Sequence, residues 1–122
     1  MEDNTEQTGI IGKFNIRGLD TSEGMSRVDD DEELYLFILN SFITHAPKFI
    51  ETVRNYNDLE ELRIAVHTMK GSGRGIGAYE IGNMAEKLEK AALNKDIAYI
   101  EANAENFISI AENLISSIKA LL

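Results

Sequence analysis

Leu59-Glu60-Glu61-Leu62-Arg63-Ile64-Ala65-Val66-His67-Thr68-Met69-Lys70-Gly71-Ser72-Gly73-Arg74-Gly75-Ile76-Gly77-Ala78 is the stretch that decides the fold. Leu59, Leu62, Val66, Met69 and Ile76 recur at three- or four-residue steps, with the small Gly73 between the last two. That spacing describes one buried stripe on an amphipathic helix, because 3.6 residues complete a turn. Asn57 or Asp58 is placed to cap its start, and Glu60 and Glu61 suit the positive end of the helix dipole. The second half departs from helix rules. Gly71, Gly73, Gly75 and Gly77 are four glycines in seven residues, and each costs a helix interior roughly 1 kcal/mol relative to Ala. Keeping them beside a histidine predicts that another molecule closely approaches bare backbone.

The same periodicity extends in both directions. Downstream, Ile81, Met84, Ala85, Leu88, Ala91 and Ala92 form a second stripe, ended by a turn at Asn94-Lys95. Ile100, Ala104, Phe107, Ala111, Leu114, Ile118 and Leu121 then keep heptad-like spacing. Upstream, Asp29-Asp30-Asp31 offers N-caps, and Leu34, Phe37, Ile38 and Phe42, with Tyr35 and Ile43 beside them, predict the buried face. Pro47 predicts a kink or break near Ala46, with helix resuming through Phe49, Ile50 and Val53 up to a turn at Asn55-Tyr56-Asn57. Asp20 caps a short helix with Glu23 at the reciprocal position, and Met25 and Val28 face inward. Residues 1–9 are polar and patternless and predict disorder. Ile10, Ile11, Phe14, Ile16 and Leu19 predict a segment lying on the main body, so the domain spans 10–122. The expected fold is all-α: an antiparallel four-helix bundle with a short additional N-terminal helix.

Composition excludes several function classes. The 122 residues suit one domain, and 43% apolar content is enough for one core. Without cysteine there is neither a disulfide framework nor a thiolate metal site. No apolar run nears the ~20 residues that span a bilayer, so no membrane partner is expected. Met1-Glu2-Asp3-Asn4 is not a secretory signal, which predicts a cytoplasmic protein. A net charge of −9 argues against nucleic acid as a partner, since phosphate backbones need a basic surface. Gly73-x-Gly75-x-x-Ala78 loosely matches a dinucleotide-binding pattern, but no strand precedes it, and the Gly-Lys-Ser/Thr phosphate loop is absent. No ATP site is therefore expected, nor self-phosphorylation from ATP. His45, just before Ala46-Pro47, reads as a surface or helix-end residue, and two histidines without matched carboxylates make no metal site.

His67 is the candidate for chemistry. It follows Val66 and so turns about 100° from the buried stripe. Arg63, Lys70 and Gly71 are its neighbours at helical spacing, with Arg74 one turn further on. Nearby positive charge disfavours imidazole protonation, and a neutral ring has a lone pair for nucleophilic attack. The same cations suit an anion carried on that nitrogen, Lys70 being placed to steady phosphoryl oxygens. On spacing alone, a helix histidine is more often an ordinary surface residue, and the cation row a solvated face.

His67-x-Met69-Lys70-Gly71-Ser72-x-x-x-Ile76-Gly77-Ala78 resembles the signature of histidine-containing phosphotransfer (HPt) domains, H-x-L-K-G-S/A-x-x-x-I/L-G-A. Asp31-Glu32-Glu33-Leu34-Tyr35, with Phe42 and Pro47, is similar to the family's second helix, and Leu88-Glu89 followed by Ala91-Ala92 to its fourth. Met69 replaces the commoner Leu, and Gly75 stands where a polar residue is frequent. The resemblance implies a phosphorelay intermediate. His67 would accept a phosphoryl group on Nε2 from an aspartyl phosphate of a response-regulator receiver domain and pass it to another receiver aspartate. Lys70 would neutralise the group, Gly71 would admit the partner, and Glu89 would orient the ring. The receiver would supply Mg²⁺, this chain having no cofactor of its own. Implied partners are receiver domains and a hybrid sensor kinase, with the chain a monomer. Were it part of a longer protein, a hybrid sensor histidine kinase is the kind of parent the resemblance allows. Apolar docking surface is expected on the short N-terminal helix and the exposed side of the helix after Asp31. The rival reading is a non-catalytic helical interaction module in which His67 is never phosphorylated.

Overall fold

Carboxylates start four of the five helices in the computed structural model, which describes residues 15–122. The helices are α1 (Thr21–Ser26), α2 (Glu32–Arg54), α3 (Leu59–Gly75), α4 (Tyr79–Leu93) and α5 (Ile97–Leu121). Asp20, Asp31, Asp58 and Asp96 each accept a hydrogen bond from the backbone N–H three residues on. Glu23 does not complete the reciprocal cap: the Asp20 N–H donates to the Gly77 carbonyl at 2.9 Å, and Glu23 pairs with Arg27 at 3.7 Å. Expected disorder over 1–9, and the placement of Ile10, Ile11 and Phe14, lie outside the described residues.

Three-to-four-residue connections join the long helices, which forces neighbours to run antiparallel. α2 packs on α3, α3 on α4, α4 on α5, and α5 back on α2, with α1 resting on α2. The expected bundle and its short extra helix are both present. Leu62, Val66, Met69, Ile81, Leu88, Ile100, Phe107 and Ile118 line the interior as their stripes predict. Leu121, last of the α5 stripe, is exposed where the helix ends.

α2 differs from expectation twice. Its buried face is Tyr35, Leu39, Phe42, Ala46, Ile50 and Val53, whereas Leu34 and Phe37 are exposed. The helix is apolar on more than one side, so periodicity cannot phase it. Nor does Pro47 break it: α2 continues to Arg54. Pro47 itself faces solvent, and buried Ala46 and Ile50 anchor both halves. Core packing offsets the ~3 kcal/mol such a proline costs a helix interior.

The α3–α4 turn is built around Gly77. Its φ is +91°, and a Cβ there would collide with the Asp20 carbonyl. Tyr35 donates its hydroxyl to the Ile76 carbonyl at 2.7 Å, deep in the core. Burial raises that phenol far above its ordinary range. Arg27, which caps the end of α1, donates to the Tyr79 hydroxyl at 2.9 Å. Together these contacts staple α1 onto the end of α3 and fix where α4 begins.

Candidate functional site

Two close helices bring the predicted residues together. α3 and α4 make the most extensive helix pair. Gly73 lets them approach, because a Cβ there would stand 3.2 Å from Ile81 Cγ2. Gly82 does the same from the other side, where a Cβ would collide with the Arg74 side chain.

His67 projects from α3 with 60% of its side chain exposed. Its Nδ1 lies 2.7 Å from Glu89 Oε2, on α4. An ionised carboxylate can only accept, so Nδ1 is the nitrogen that donates, and in a neutral ring Nε2 keeps the lone pair. Nε2 has no partner among the described residues. The other Glu89 oxygen, Oε1, holds Lys70 Nζ at 2.8 Å. Glu89 is the buried charged side chain among the described residues, 8% exposed. Burial pushes its carboxyl up, but the hydrogen bonds from Lys70 and His67 outweigh that and hold it below the usual carboxylate range. Glu89 therefore stays ionised while grasping both the ring and the lysine.

The row of free cations expected from spacing is not what surrounds the ring. Arg63 Nε donates to Glu60 Oε1 at 3.0 Å. Arg74 binds Glu86 at 2.6 Å and Asn83 at 2.9 Å. Lys70 is itself paired. Each cation has found a carboxylate, and the ring's orientation is set by its contact with Glu89. Glu89 lies on the next helix, so spacing along α3 carries no trace of it; the family resemblance was the signal that placed it.

The four glycines divide by task. A Cβ at Gly71 or Gly75 would meet nothing within 4 Å, so backbone there is open to an incoming molecule. Gly73 serves helix packing and Gly77 the turn. Only half of the run therefore answers the expectation of close approach.

Beside the Gly71 row, α2 and α3 enclose a groove of about 490 Å³ lined by Phe37, Phe42, His45, Phe49, Thr68 and Ser72 among others. Thr68 and Ser72 directly follow His67 and Gly71 in the chain, so the groove borders the site. Phe37 is 69% exposed at its wall. Of the two places expected to carry apolar docking surface, α2 presents Leu34 and Phe37, while Met25 and Val28 around α1 are partly buried against the core. The groove was invisible in the sequence, since it depends on the true phase of α2.

Among the described residues, no helix is long and apolar enough to cross a membrane. No curated protein and no solved structure matches this chain. A family model described as the Hpt domain matches residues 38–121. That match spans well over half of the sequence and takes in His67, Lys70, Gly71 and Glu89 together with the helices that hold them. The chain thus belongs to the Hpt domain family, the phosphotransfer modules of two-component phosphorelays.

Proposed function

We propose that His67 Nε2 takes a phosphoryl group from the aspartyl phosphate of one receiver domain and yields it to the aspartate of another. The observation that carries this reading is the ring's division of labour: Nδ1 is bound by Glu89 and Nε2 is left exposed. The Nε2 lone pair attacks phosphorus, the P–O bond to the aspartyl carboxyl breaks, and the aspartate leaves as carboxylate. Nε2 bears no hydrogen, so no base is needed at that atom. The ring, now phosphorylated, carries positive charge with its Nδ1–H still facing Glu89. Lys70 uses one donor on Glu89 and has two others for phosphoryl oxygens. Transfer onward reverses these steps.

The receiver docks over Gly71 and onto the α2–α3 groove, bringing its acidic pocket and Mg²⁺ with it. The chain acts as a monomer in this reading. A bundle that holds the imidazole in one orientation favours in-line attack.

Incubation with phosphorylated receiver domains tests the proposal. The expected result is an acid-labile, alkali-stable label on this chain that is lost in His67→Gln. No label with several active receivers would favour the non-catalytic interaction module instead.

A further inference from the structure

We propose that Arg63 is a second phosphoryl-binding residue of the His67 site, held on Glu60 until the group arrives and then exchanged onto its oxygens. This rests on the reading of His67 as phosphoryl acceptor and adds to it an exchange of ion pairs.

The three cations along α3 differ in what holds them. Lys70 is tied to Glu89 at 2.8 Å, and Arg74 to Glu86 at 2.6 Å and Asn83 at 2.9 Å. Those partners all stand on α4, so the bonds also clasp the two helices together. Arg63 is paired within its own helix instead, to Glu60 three residues back, through Nε at 3.0 Å and Nη2 at 2.5 Å. Glu60 is its one ion-pair partner among the described residues. The carboxylates differ as well. Glu89 is buried and the Glu86 side chain is 37% exposed, whereas that of Glu60 is 64% exposed. Taking Lys70 from Glu89 would orphan a buried charge. Taking Arg63 from Glu60 leaves a carboxylate that water solvates, and an exposed pair of this kind holds weakly.

Position brings Arg63 within reach of the reacting nitrogen. It lies four residues before His67, on the same side of α3. Side chains on a helix lean toward its N-terminus, so the His67 ring inclines over the turn that carries Arg63. Charge at the site is already felt there: the bond to Glu60 raises the Arg63 guanidinium above its usual range, and the field of Glu89 adds to it. A phosphoryl group on Nε2 brings about two negative charges and three acceptor oxygens. Lys70 has two donors to spare, fewer than those oxygens can take. The planar guanidinium fork matches two phosphoryl oxygens at once, and a dianion outbids the single charge of Glu60. Glu60 is therefore a competitor that keeps Arg63 near the ring and yields it on phosphorylation.

Phosphoramidate tests this without a receiver. The His67 Nε2 lone pair attacks its phosphorus, the P–N bond breaks and ammonia leaves. A His45→Gln background leaves His67 as the one imidazole. Urea unfolding at about pH 8, with and without the label, then compares the parent with Arg63→Gln, Arg63→Lys, Glu60→Gln and the Arg63→Gln/Glu60→Gln pair. Comparing labelled with unlabelled forms of each protein cancels any purely structural effect of a substitution. The midpoint change on labelling should be about 0.5 M less favourable in Arg63→Gln than in the parent. Arg63→Lys should recover part of it. Glu60→Gln should make labelling more favourable, and more so with Arg63 present than without it. Equal changes in the parent and Arg63→Gln overturn the proposal, as does a Glu60→Gln effect that ignores Arg63. An Arg63-dependent change with no label from any receiver supports the contact and removes the receiver reading. No label on His67 from phosphoramidate or from any receiver removes both.

Discussion

Glu89 Oε2 reaches His67 Nδ1 across the α3–α4 boundary at 2.7 Å, so the ring's orientation depends on a residue 22 positions away. Its carboxylate would face the charge that the proposed phosphorylation of Nε2 places on the ring. Glu89→Gln keeps an acceptor but removes that charge, and single-turnover transfer from a receiver should slow about tenfold, the scale of one charge-assisted hydrogen bond. Glu89→Ala, which also frees the ring to rotate, should slow it further. Equal rates in all three proteins would remove Glu89 from the mechanism.

Lys70→Ala should slow transfer or shorten the life of the phosphohistidine while leaving the helical fold intact. It also strips one of the two bonds that keep Glu89 ionised in its buried place. A loss of about 1 kcal/mol in urea unfolding at neutral pH is expected. Normal transfer across several receivers would count against the electrostatic role.

Stability should depend on pH through Glu89. Its folded carboxyl titrates below the usual range, so the unfolded chain binds the proton more readily. The stabilisation is complete above the unfolded value of about 4.3 and is lost as pH falls through the lower folded value. The stability gap between wild type and Glu89→Gln should accordingly be widest above about pH 5 and close toward about pH 3. A gap that widens on acidification contradicts this account.

Gly71 is retained at a cost to the helix. Nothing lies within 4 Å of a Cβ there, so Gly71→Ala should stabilise the fold by about 0.5–1 kcal/mol. Gly71→Leu should melt no lower than wild type yet weaken receiver docking about tenfold or more. Unchanged docking would show that bare backbone is not needed beside His67.

Gly77 should behave in the opposite way. With φ at +91° and the Asp20 carbonyl against any Cβ, Gly77→Ala should destabilise by about 1–3 kcal/mol. Thermal melting of the two glycine variants side by side separates the open position from the strained one.

Long, strongly periodic helices were legible from the sequence. α3, α4 and α5 each bury one stripe, and a single phase satisfies each. α2 was not, because Leu34, Phe37, Tyr35 and Leu39 leave several apolar faces to choose from, and only packing selects among them. Pro47 misled for a related reason: a local rule gave way to core contacts on both sides. At the site, His67, Lys70 and Gly71 came from one short motif. The Lys70–Glu89 pair and the pairing of Arg63 and Arg74 depend on register between helices and on the choice of carboxylate, which spacing along one helix does not contain.

The close packing of α3 on α4 through Gly73 and Gly82 places the His67 ring, the lysine and the carboxylate that holds both on one helical hairpin, while the wall of the adjoining groove is supplied largely by α2. Chemistry and address are written on separate helices. On the docking proposed above, substitutions along the outer face of α2 would redirect the module to a new correspondent without touching the hairpin that holds His67, Lys70 and Glu89.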